Sequence, residues 1–65
     1  MKLSDESIKA IVSQLNIMAE TYYTAHGLTD KVRANSYCQG IAFALSQIGY
    51  AVEWDNRKAY VVEEE

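Results

Sequence analysis

The segment from Asp30 to Ile48 constrains this chain more than any other, because it reads as a helix with apolar or small residues on nearly every side. On a helix, residues three or four apart share a face. Ala34, Tyr37, Cys38, Ile41, Leu45 and Ile48 therefore form one stripe, the expected core side. At about 100° per residue, Phe43 points roughly 200° away from Ile41. It shares its side with Val32, Ser36, Gln39 and Gln47, with Gly40 and Ala44 beside it, so that one aromatic stands over a shallow surface of small residues. A helix that is apolar all round is normally covered all round. In a chain of 65 residues the second cover has to come from the chain's own remaining elements or from another molecule.

Size sharpens that choice. A chain of about 60 residues buries only about 60% of the surface its unfolded form exposes, so hydrophobic gain and chain entropy nearly cancel. Small domains escape with disulfides, a metal or oligomerisation. One cysteine makes no internal bridge, and one Cys with one His is too small a ligand set for a structural metal. Association remains, and a homodimer is the expectation. The apolar content of 49% is that of a folded domain, not a disordered one.

Charge excludes further classes. The net charge is −3, and Glu63, Glu64 and Glu65 account for all of it. The six cations are scattered as Lys2, Lys9, Lys31, Arg33, Arg57 and Lys58, so no basic stripe faces a row of phosphates and direct nucleic-acid binding is disfavoured. No apolar run approaches a membrane span, and the first residues, Met1 to Glu6, hold no apolar targeting core. The chain reads as soluble and cytoplasmic, without a membrane partner, and a free Cys38 agrees with a reducing compartment.

Taken in order, Ser4 is placed to cap a first helix whose opening turn carries Asp5 and Glu6, which complement the positive helix end. Ile8, Ile11, Val12, Leu15, Met18, Ala19 and Tyr22 recur at three- and four-residue steps, leaving Lys9, Ser13, Gln14 and Glu20 for solvent. The helix is expected over about residues 4–26. It should end at His26-Gly27 with a left-handed glycine cap, closed hydrophobically by Leu28. Thr29 or Asp30 then caps a second helix over about 30–48, ended by Gly49. So short a link makes an antiparallel helical hairpin.

Two aromatic and β-branched runs follow, about 50–54 and 58–62, joined by Asp55-Asn56-Arg57 as strands joined by a tight turn. The chain is thus α+β, in the order α-α-β-β, with residues 63–65 as an acidic tail. A two-residue turn puts Val52, Trp54, Ala59 and Val61 on one face, the natural lid over the helices. A three-residue loop would instead group Val52 and Trp54 with Lys58, Tyr60 and Val62.

Candidate chemistry is sparse. His26, Asp30 and Cys38 are the one set that could suggest nucleophilic or metal chemistry. The structural reading outweighs it, since His26 falls at a helix end and Cys38 about two turns into the next helix on its packed side. No phosphate loop or catalytic triad order is present. The chain reads as no enzyme and as needing no cofactor.

Gly40 asks for a reason, because a mid-helix glycine costs about 1 kcal/mol against alanine. Close approach to the first helix would supply one, and a close crossing with a second molecule would supply another. Tyr22, Tyr23, Tyr37, Tyr50, Tyr60 and Trp54 are many amphipathic rings for so small a body, and such rings serve both cores and interface anchors. The expected protein-interface residues are Phe43, Gly40, Val32, Ser36, Gln39 and Gln47 on helix 2, with Tyr23, Trp54 and Tyr60. Arg33 and Asn35 join Gln39 and Gln47 as a polar rim.

The stretch Gly40-Ile41-Ala42-Phe43-Ala44-Leu45-Ser46-Gln47-Ile48-Gly49-Tyr50-Ala51-Val52-Glu53-Trp54-Asp55 resembles, in general manner, small proteins carried by bacteriophages and mobile elements. The resemblance covers about a quarter of the chain, contains no catalytic motif and transfers no residue role. It implies an accessory protein that acts by binding, such as an inhibitor of a host defence protein. The expected function is accordingly a homodimeric protein-interaction module. A nucleic-acid-associated regulator using Lys31, Arg33, Arg57 and Lys58 is the alternative, and a small enzyme comes behind it.

Overall fold

Ser4 stops being extended chain and becomes a helix start because its Oγ accepts from the Ser7 N–H at 3.1 Å while its carbonyl accepts from Ile8. In the computed structural model, which describes residues 2–64, α1 runs Asp5–Thr24, α2 Leu28–Ser46, β1 Tyr50–Asp55 and β2 Lys58–Glu63. The order is α-α-β-β, an antiparallel helical hairpin followed by a two-stranded antiparallel sheet.

The link between the helices differs from the expectation. α1 ends at Thr24, and Ala25 follows in extended conformation (φ −67°, ψ 138°), so no left-handed glycine cap forms. Gly27 is itself extended (φ −115°, ψ 149°) and serves as the N-cap of α2, without a side-chain cap. Thr29 and Asp30 therefore lie inside the first turn instead of capping it, and Leu28 closes nothing but stands exposed. An N-cap needs extended backbone, and the Ala25–Gly27 path already supplies it one residue before Leu28. α2 likewise stops at Ser46, two residues before the expected end, in a turn that reaches left-handed Gly49 (φ +88°). Gly49 thus reverses the chain beyond the helix rather than capping its last residue.

The β-hairpin settles the register that the sequence left open. Asn56 and Arg57 both have positive φ (52° and 68°), the backbone of a two-residue type I′ turn, so Asp55 pairs with Lys58 and Trp54 with Ala59. Val52, Trp54, Ala59 and Val61 share a face with Tyr50. Both strands are one residue longer than expected. Glu63 pairs with Tyr50 and so belongs to β2, not to a tail, and the Glu64 N–H reaches the Gly49 carbonyl at 2.8 Å. Glu65 lies outside the described residues.

The hairpin covers one side of the helical pair, β2 against α1 and β1 against α2. The core between them is thin. Leu15, Ala19, Ala34, Leu45, Tyr50 and Ala59 are buried, and only Leu15, Leu45 and Tyr50 of these are large. The Tyr50 hydroxyl accepts from the Leu3 N–H at 2.9 Å, which ties the N-terminus to the start of β1.

Asn16 makes a second tie that periodicity does not reveal. Its Oδ1 accepts from the Ala59 N–H at 2.8 Å and its Nδ2 donates to the Ala59 carbonyl at 3.3 Å. One amide side chain thereby satisfies both groups at the open edge of β2, as a third strand would.

The molecule is 38 × 18 × 18 Å with a radius of gyration of 12.1 Å, against about 10.7 Å for a compact chain of this length. Its accessible surface of 4929 Å² exceeds by roughly 700 Å² what a compact monomer of its mass exposes.

Candidate functional site

Two surfaces stand out, and α2 contributes to both. Ala34 at 1% exposure marks the buried side, and Phe43, nine residues later, points roughly 180° from it. Phe43 is 68% exposed, with Val32 at 54% and Leu28 at 78% on the same side. Ser36, Gln39, Gly40 and Gln47 lie among them, all exposed. The hairpin does not cover this face, because it packs on the opposite one. A Cβ built on Gly40 meets nothing within 4 Å, so contact with α1 does not account for the glycine. Leu28 extends this face one turn beyond the residues that the sequence singled out, since α2 starts earlier than expected.

The core stripe of α2 is narrower than its periodicity implies. Ala34 and Leu45 are buried and Cys38, Ile41 and Ile48 half-buried, but Tyr37 is exposed. At three residues from Ala34 it sits roughly 60° off the centre of the stripe, beyond the edge of the hairpin. Tyr22, expected in the core stripe of α1, is exposed too, and so is Ile17.

Tyr22 instead forms the second surface, a cleft of about 380 Å³. It is walled by Tyr22 and Tyr23 from the end of α1 and Trp54 from the end of β1, over Ala34, Cys38 and Ala42, with Asn35 and Gln39 at its side. Tyr22 and Tyr23 meet edge to face with ring centroids 5.2 Å apart. The Arg57 guanidinium lies 4.5 Å from the Tyr23 centroid and the Lys31 ammonium 5.7 Å from the Tyr22 centroid. Cation–π contacts of this kind contribute about 0.5–1 kcal/mol at exposed sites.

The structure thus divides the expected interface residues among three places. Tyr23 and Trp54 come together at the cleft, and Gln39 lies between the cleft and the outer face of α2. Phe43, Gly40, Val32, Ser36 and Gln47 lie on the outer face of α2. Tyr60 stands alone on the outer side of the hairpin, exposed with Lys58 and Glu53.

His26, Asp30 and Cys38 are not brought together as one cluster. The Cys38 Sγ donates weakly to the Leu15 carbonyl at 4.0 Å. Burial raises its pKa above the usual thiol value, which keeps it the neutral, poorly nucleophilic form at pH 7. Asp30 lies eight residues earlier, about 12 Å along the helix axis, and His26 is exposed in the link. Among the described residues no three His, Cys, Asp or Glu side chains come together as a metal site. No helix among them is long and apolar enough to cross a membrane.

No protein-family model, curated protein or solved structure matches this chain.

Proposed function

We propose that this chain is a non-enzymatic protein-interaction module that self-associates through the outer face of α2 and acts by occupying a surface of another protein. Gly40 carries the reading. It stands mid-helix at a cost of about 1 kcal/mol, and nothing in its own chain lies where its Cβ would be. A second helix crossing there would explain it. In an isologous pair the same patch faces itself, so that Phe43 of each copy rests on Ser36 and Gly40 of the other. The surface excess of roughly 700 Å² supports the same reading, being close to the about 800 Å² that each partner contributes to a standard interface.

On this reading the protein is cytoplasmic, and its likeness to small proteins of phages and mobile elements fits a role as a binding inhibitor. Light scattering at about 100 μM should give the mass of a dimer, with a melting temperature that rises with concentration. A monomer whose melting point ignores concentration would contradict self-association.

A further inference from the structure

The cleft differs from the outer face of α2 in carrying charge at its rim. Its walls are the rings of Tyr22, Tyr23 and Trp54, and small residues form its floor. Lys31 and Arg57 sit on the two tyrosine rings. Among the described residues neither cation is paired with a carboxylate. The result is an apolar socket flanked by two positive charges whose partners are rings.

We propose that this cleft receives one bulky apolar side chain from an acidic segment of another protein, with Lys31 and Arg57 meeting carboxylates on either side of it. Charge complementarity selects the occupant. A basic segment would be repelled by both cations, and a purely apolar one would leave them without a counter-charge. A row of phosphates fits less well, because the socket is flanked by Lys31 and Arg57 alone and the scattered cations of the chain form no basic stripe to continue them. The volume of about 380 Å³ lies near the lower end of small-molecule pockets, about 300 to 1,000 Å³, which suits one or two large side chains.

The cleft lies mostly off the proposed dimer face. Asn35, Cys38 and Ala42, which line it, point roughly 80° to 140° away from Phe43, and Gln39, about 40° away, is the lining residue the two surfaces share. Two copies then present two sockets, and a partner with two acidic anchors gains avidity without any new contact.

Trp54 is the only tryptophan, so its emission reports occupancy directly. The probe is a tryptophan-free nonapeptide with one phenylalanine among glutamates and serines. Its controls replace the glutamates by lysine, or the phenylalanine by glycine. The acidic peptide should give a saturable emission change at least tenfold tighter than either control. The double variant Lys31→Glu with Arg57→Glu should lose tenfold or more while keeping its far-UV circular dichroism.

No saturable change up to about 5 mM, the weak limit of useful recognition, would overturn the proposal. So would equal binding of the lysine peptide. Tighter binding of oligothymidylate than of the acidic peptide would overturn it in favour of base stacking on these rings. Phe43→Lys, titrated in parallel, should bind the peptide unchanged even as a monomer, so failure at the cleft and failure at the α2 face are read separately.

Discussion

The seam under α2 and the face above it belong to one helix and are built from similar residues, yet only the seam is closed. Beneath α2, Ala34 and Leu45 are lost to water together with Leu15, Tyr50 and Ala59. Above it, Leu28, Val32 and Phe43 remain more than half exposed around a glycine with open space beside it. α1 is more one-sided: its Lys9, Ser13, Gln14 and Glu20 give it a polar back, interrupted by the exposed Ile17. What separates the two faces of α2 is therefore coverage and not composition. The hairpin has one inner face and spends it on the seam.

The largest effect that can break this comparison lies in the seam. Leu15 is fully buried, and Leu15→Ala should cost about 3 kcal/mol, within the 2–5 kcal/mol usual for such truncations. For so small a domain that amounts to loss of most folded protein at 25 °C by circular dichroism. A mild loss, under about 1 kcal/mol, would mean the seam is not the core.

Asn16→Ala should come next, at about 1–3 kcal/mol, because it strips both partners from a fully buried residue's backbone at the sheet edge. Urea denaturation monitored through Trp54 would measure it. An unchanged midpoint would show that water replaces the amide.

These two residues also show what was legible in the sequence. Leu15 stood in a clear periodic stripe, and the element order and the Ser4 cap followed from local chemistry that tertiary context did not override, whereas the pairing face of the hairpin stayed open until the positive φ of Asn56 and Arg57 fixed a two-residue turn. Asn16 was silent, since its role depends on where β2 comes to lie 43 residues later. The Phe43 face was readable from angle alone. The cleft was not, because it arises where the hairpin tip brings Trp54 over the end of α1, and periodicity assigned Tyr22 to the core. Gly27 misled for a related reason. Glycine satisfies a left-handed cap and an extended N-cap equally well, and only the path of the chain decides between them.

The two faces separate most plainly in a paired substitution. Ile41 is half-buried, so Ile41→Ala should lose about 1–2 kcal/mol of stability, less than a fully buried truncation. Phe43→Ala should leave monomer stability nearly unchanged and weaken self-association at least tenfold, about 1.4 kcal/mol. Denaturation at low concentration reads the first effect and sedimentation the second. If Phe43→Ala unfolds a monomer as severely as Ile41→Ala does, the outer face is core.

The smallest energy tests the central claim most directly. Gly40→Ala adds one methyl group where the chain itself has room, so it should raise the stability of the dilute monomer by about 0.5–1 kcal/mol through helix propensity. The same methyl would stand between two crossing helices. Sedimentation equilibrium of Gly40→Ala beside the unsubstituted chain should show the variant more stable as a monomer and at least tenfold weaker as a dimer, about 1.4 kcal/mol. A variant that gains stability and self-associates as well as before would contradict a helix crossing at Gly40.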